Sequence, residues 1–214
     1  MNRLENKVAV ITGASGGLGK QTAMRFAQEG AKLAICARTA AKLETTKTLC
    51  EEAGAEVLAM TADVSQYDQL KAFVEKTVER FGTIDVLVNN AATISAPHPF
   101  IEHTLEDLEE AMHSGLYGTW HMMQLCFPYM KEKGGSIINF GSIGGVAGME
   151  GFAAYAAEKE AIRGLSRVAA REWGAMNIRV NCVCPNVITD RFEEGIESAP
   201  QEVRDYLIAS MSQN

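Results

Sequence analysis

Lys7-Val8-Ala9-Val10-Ile11-Thr12-Gly13-Ala14-Ser15-Gly16-Gly17-Leu18-Gly19 decides how this 214-residue chain folds. Its first six residues form a short apolar run, read as a strand over 7–12. The run empties into a turn whose glycines 13, 17 and 19 follow a GxxxGxG pattern, and helical spacing begins near Gly17. Without side chains, a backbone can turn tightly and approach a pyrophosphate, whose charge meets the helix N-terminus. Gly13, Ser15, Gly16, Gly17, Leu18 and Gly19 are therefore candidate cofactor contacts. A glycine-rich turn alone is weak evidence; after the first strand of an alternating chain it is strong.

The rest of the chain alternates in that way. Further apolar runs at 32–37, 56–61, 86–89, 136–141 and 179–184 are separated by helical segments beginning near Gly17, Ala40, Gln66, Thr104 and Phe152. Near-continuous hydrophobic strands are expected where helices cover both faces of a sheet. The prediction is an α/β fold: a Rossmann-type, doubly wound parallel sheet in three layers, forming a single domain over 1–214. A net charge of −7 offers no basic stripe for nucleic acid. No segment is apolar enough to span a bilayer and the N-terminus has no apolar h-region, so a cytoplasmic protein with no membrane partner is expected. The five cysteines read as incidental thiols, and the four histidines lack metal-ligand spacing, so no metal is expected.

Two positions then carry chemistry. After the second strand, Cys36-Ala37-Arg38-Thr39 has no carboxylate to bind the ribose hydroxyls of NAD. A guanidinium suits the 2′-phosphate of NADP, so Arg38 points to NADP(H) in preference to NAD(H); the alternative is a solvated loop arginine. Farther on, Tyr155 and Lys159 lie one helical turn apart, thirteen residues after Ser142. Phenols titrate near pH 10. An ammonium about 4 Å away supplies about 4 kcal/mol at an effective dielectric near 20, enough to make such a phenol a proton donor near neutrality.

With these residues assembled, the chain resembles the short-chain dehydrogenase/reductase family over essentially its whole length. The ordered set comprises the turn from Thr12 to Gly19, Asp63-Val64, Asn89-Asn90-Ala91-Ala92, Ser142, Tyr155 with Lys159, and Asn177-Ile178-Arg179-Val180-Asn181. The resemblance implies that Asp63 and Val64 contact adenine and that Asn90, Ala91 and Ala92 lie along the adenosine ribose. Ile188 and Thr189 would approach the nicotinamide carboxamide and the phosphates. It further implies that Tyr155 exchanges the proton with a carbonyl or alcohol oxygen and that Ser142 orients that oxygen. Lys159 would hold the nicotinamide ribose and support the acidity of the phenol.

The chain also departs from the family pattern. Gly115 stands where the family carries an asparagine that supports a water-mediated proton path to the lysine, so Gly115→Asn is expected to raise turnover if the amide limits the rate. Pro185-Asn186 replaces Pro-Gly, and Ala92 replaces a glycine. The family's further helix and seventh strand would follow Asn214, and an omitted tail is expected over a shortened protein.

The substrate pocket is expected from the segments 93–100 and 143–152 and the residues after Asn186, with Ile94, Phe100, Val146, Met149, Phe152, Phe192 and Ile196 as its apolar lining. This fits a hydrophobic ketone or secondary alcohol, steroid-like in kind. A 3-oxoacyl-carrier-protein-type reductase is the second reading. Its basic entrance would rest on Arg191 and Arg204, which are surrounded by Glu193, Glu194, Glu197, Glu202 and Asp205. A non-catalytic nicotinamide-binding sensor is the third, opposed by the retention of Ser142, Tyr155 and Lys159. The long helices over 104–131 and 152–173 are apolar on more than one face, and with the family analogy they suggest a homodimer or homotetramer.

Overall fold

A computed structural model of the chain describes residues 2–94, 97–187, 201 and 205. Strands β1 (Val8–Thr12), β2 (Lys32–Ala37), β3 (Val57–Thr61), β4 (Val86–Asn89), β5 (Gly135–Phe140) and β6 (Ile178–Val183) lie within a residue or two of the predicted runs. They form one sheet in the order β3-β2-β1-β4-β5-β6. Every pairing is parallel, with Val10 opposite Ala34 on one side and Leu87 on the other. The order reverses between β1 and β4, which makes their carboxyl ends the expected place for a ligand.

Alternate side chains of a strand point to opposite faces, and here both faces are covered. Val10, Leu87 and Ile137 pack under helices α3 (Tyr67–Phe81), α5 (Gly118–Met130) and α7 (Ala153–Trp173) with Phe73, Met122 and Ala169. Ala9, Ile11, Leu33 and Val88 pack on the other side with Ala23, Ala27 and Leu43 of α1 (Gly17–Gln28) and α2 (Ala40–Glu52). That is the predicted three-layer arrangement. Each large apolar side chain so buried contributes about 1.5–3 kcal/mol, which fixes the strand ends that carry the site.

The predicted helix over 104–131 is continuous but not uniform. α4 (Leu105–Ala111) starts in a capping box between Thr104 and Asp107, passes into a π-helical stretch, Met112–Tyr117, and continues as α5. A short helix that periodicity did not reveal, α6 (Ile143–Ala147), follows β5. No described helix is long and apolar enough to cross a membrane.

Candidate active site

A cleft of ≈ 940 Å³ opens at the carboxyl ends of β1 and β4. The Gly13–Gly17 turn and Arg38 line one part of it, while Ser142, Tyr155 and Lys159 line another. Residues separated by more than 140 positions in the chain thus share one cavity because the sheet brings every βα junction to the same edge.

The glycine turn is held from behind. Asn90 Nδ2 donates to the carbonyls of Thr12 (3.0 Å) and Gly13 (3.1 Å), while the backbone N–H groups of Asn90 and Ala91 donate to Thr12 Oγ1. Gly13 has φ +69°, and a Cβ there would lie 2.7 Å from Asn90 Nδ2 and 2.9 Å from Ala91 Cα. A Cβ on Gly19 would overlap the Gly13 carbonyl oxygen. Gly16 caps α1 without a side-chain bond, so no side chain competes for the first N–H groups of the helix. These features fit a pyrophosphate: a cradle that Cβ atoms would fill, at the N-terminus of a twelve-residue helix. Asn90 also lines the cleft, but its amide nitrogen is engaged in bolting the turn.

Beyond the end of β2, Arg38 is exposed and joined by Thr39, Lys42 and Lys20. Thr39 caps α2 without using its side chain. Among the described residues lining the cleft, Asp63 is the one acid, against Lys20, Arg38, Lys42 and Lys159. Lys42 and Lys20 were not singled out from sequence, although Lys42 lies one helical turn beyond Arg38. Asp63 is held by its own turn, its N–H donating to Gln69 Oε1 (2.8 Å) and its Oδ1 accepting from Ser65 N–H (2.9 Å). Val64 is backed by Gly118, where a Cβ would come within 3.0 Å of the valine Cβ. Ala91 and Ala92 line the wall between the two ends. Ile188 and Thr189 lie outside the described residues, as do Arg191, Phe192, Glu193, Glu194, Ile196, Glu197, Glu202 and Arg204.

Ser142 caps α6, accepting from Gly144 N–H at 3.1 Å. An accepted bond leaves the hydroxyl hydrogen for donation to a ligand oxygen. Tyr155 and Lys159 stand on the first turns of α7, the ammonium 5.4 Å from the phenol ring centre. Lys159 Nζ donates to the Phe140 carbonyl (3.2 Å) and lies 3.1 Å from Glu158 Oε1. Glu158 is fully buried, and burial raises its carboxyl above the ordinary range while Lys159 opposes the rise. The two groups form a buried ion pair whose attraction pulls the carboxyl down against the larger effect of burial.

Gly115, in the π-helical stretch, faces that carboxyl. A Cβ there would overlap Glu158 Oε1 and Cδ and come within 2.8 Å of Cγ. The expected gain from Gly115→Asn meets an obstacle here: the room an asparagine side chain needs is filled by Glu158. Glu158 was missed because a glutamate on a helix reads as a solvated side chain.

Other features also emerged only in three dimensions. Asn89 Nδ2 donates to Asn139 Oδ1 (2.9 Å), and Asn139 Nδ2 donates to Ser166 Oγ (2.9 Å), a buried polar chain tying β4 and β5 to α7. His98, His103 and Asp107 bring ligand-type atoms within 4.8 Å of one another, which their spacing did not suggest. Asp107 already accepts from Thr104 N–H at 2.8 Å, the main reason its carboxyl titrates below the ordinary range. The five cysteines are free, and burial pushes the Cys36 thiol up to about 12, which makes it unreactive. Of the expected pocket residues, Ile94, Met149 and Phe152 line the cleft, joined by Ile143 and Val187. Phe100 does not; it stands 80% exposed on a 3₁₀ turn, and Val146 is also largely outside.

Fold and cleft together define a nicotinamide-dinucleotide-dependent oxidoreductase. The family model for short chain dehydrogenases matches residues 7–200, and the chain belongs to that family. It is 42% identical over 208 residues to a 12alpha-hydroxysteroid dehydrogenase of Clostridium sp., an alignment covering 94% of this chain and 80% of that protein. It is 37% identical to a 3-oxoacyl-[acyl-carrier-protein] reductase of Thermotoga maritima, covering 95% and 81% respectively. Among solved structures, NAD⁺-bound xylitol dehydrogenase superposes with a TM-score of 0.87 at 31% identity, covering 91% of this chain and 76% of that one. The chain is thus an enzyme acting on alcohols or ketones with a nicotinamide cofactor.

Proposed function

We propose that this enzyme interconverts a hydrophobic, steroid-like ketone and its secondary alcohol with NADP(H). The observation that carries the reading is one cleft with Ser142, Tyr155 and Lys159 in one part and Arg38 with Lys42 in another. When bound, the nicotinamide supplies or accepts the hydride. Tyr155 donates its phenolic proton to the carbonyl oxygen during reduction and takes it back from the alcohol during oxidation. Ser142 donates a hydrogen bond to the same oxygen, which fixes the ketone and stabilises the charge that develops there. Lys159, anchored by the Phe140 carbonyl, presents its positive charge beside the phenol.

Arg38 and Lys42 favour the 2′-phosphate, since Ala37 and Arg38 stand where an acid would bind ribose hydroxyls. The NAD⁺ bound to the xylitol enzyme is the counterweight, and cofactor kinetics decide between the two. Ile94, Ile143, Met149, Phe152 and Val187 give the substrate end an apolar wall suited to a fused ring system. The 42% identity to the 12alpha-hydroxysteroid enzyme supports the same substrate class. Exposed Tyr117, Trp120 and Val168 on the outer helices support a homodimer or homotetramer. Free cysteines support a reducing, cytoplasmic setting.

The test is NADPH and NADH oxidation with a panel running from 12-oxosteroids to 3-oxoacyl thioesters. NADPH-driven reduction of the steroids is the expected result. Preference for the thioesters moves the substrate to the carrier-linked class, and preference for NADH overturns the role of Arg38.

A further inference from the structure

Glu158 has no place in the reaction as described so far, yet its surroundings are specific. It is fully buried, its carboxyl lies 3.1 Å from Lys159 Nζ, and its space exists only because position 115 has no side chain. A carboxyl group is costly to bury, and one that merely filled a gap would be replaced at lower cost by an apolar residue. Lys159 has three N–H donors. The Phe140 carbonyl takes one, and Glu158 attracts the ammonium on a second side. Lys159 also lines the cleft together with Tyr155.

We propose that Glu158 is a positioning residue for Lys159, seated in the room left by Gly115, and that the two positions form one interlocking unit. The carboxyl oxygen holds the ammonium from its buried side, and the bare Gly115 backbone lets the carboxyl reach it. Helix α7 is thereby keyed to the π-helical stretch at the point where the lysine must be aimed. This rests on the reading of Tyr155 and Lys159 given above, so part of the test needs no ketone.

Three measurements on the full chain decide it. Glu158→Leu and Glu158→Gln have similar volumes, but only the glutamine keeps an oxygen for the ammonium. Turnover of the best ketone in the panel is expected to fall about tenfold or more in the leucine variant and to stay within about threefold in the glutamine variant. The dissociation constant for NADPH is expected to rise about fivefold with leucine and to stay within about twofold with glutamine. Gly115→Ala is expected to lower the thermal midpoint by about 5 °C in the parent and by less than about 1 °C in a Glu158→Ser background.

Equal turnover and equal NADPH affinity in the leucine and glutamine variants would mean packing alone and overturn the proposal. So would the same alanine penalty in both backgrounds. If the parent reduces no ketone, the catalytic reading fails by itself, and NADPH affinity with the midpoint coupling still decides for or against Glu158.

Discussion

The two parts of the cleft are built on different principles. At the glycine-turn end, the backbone does the work: glycines 13 and 19 leave no room for side chains, and Thr12 with Asn90 clamps the turn. At the end proposed for the reaction, side chains do the work, and Lys159 is held by neighbours that local sequence does not mark. Lys159 is held by a carbonyl nineteen residues away and by Glu158, which depends in turn on a glycine in another helix. A site made of backbone constrains glycine positions strictly. A site made of side chains depends on packing between elements, as Glu158 does on the space beside Gly115.

The sharpest test of the reaction end is Tyr155→Phe, which removes the proton donor and keeps the ring. Turnover should fall about 10³-fold or more with NADPH binding retained, as read by steady-state kinetics and fluorescence titration. Residual activity near the parent's would refute the role of the phenol. The backbone end is tested next by Gly19→Ala, whose Cβ would overlap the Gly13 carbonyl oxygen. NADPH affinity should weaken about 100-fold, and an unchanged dissociation constant would show that the turn yields easily.

A smaller change is expected at the adenosine end. Arg38→Asp should shift the ratio of kcat/KM for NADPH over NADH by about tenfold or more toward NADH, and a static ratio would return Arg38 to the solvent. At the junction of the two helices, Gly115→Asn should lower both turnover and the thermal midpoint because Glu158 occupies the space. The loss is expected to be about 2–3 kcal/mol of stability, or about 5–10 °C, measured by thermal unfolding.

The mildest effect is a pH dependence. Burial holds the Glu158 carboxyl above its ordinary 4.5, so the folded chain binds that proton more tightly than the unfolded one. The resulting stability is fully present below 4.5 and is lost as pH rises from there through the folded value. The midpoint difference between Glu158→Gln and the parent should therefore grow in favour of the variant over that interval and then level off. A difference independent of pH would show that this carboxyl keeps its ordinary acidity in the fold.

Much of this was legible before any coordinates. The βα alternation, the three layers and the strand positions follow from apolar runs of strand length separated by helical spacing, signals that local sequence carries. That the glycine turn, Arg38, Ser142, Tyr155 and Lys159 belong to one cleft was anticipated from residue type and short spacing. Helix α6 was not, since five residues with two glycines give no period to read. Nor were Phe100 and Val146 readable as outsiders to the cleft, because exposure belongs to the packed surface.

The sequence by itself therefore determined the fold class and the family, and it singled out the glycine turn and the groups proposed to react. Tertiary structure alone decided which supports those groups receive. It showed that Asn90 braces the glycine turn, that Asn89, Asn139 and Ser166 tie two strands to α7, and that Glu158 fills the space over Gly115. The reason is distance along the chain. Periodicity and spacing report neighbours within a few turns, whereas a buried polar group is defined by the partner that packing brings to it, and that partner lies in another element.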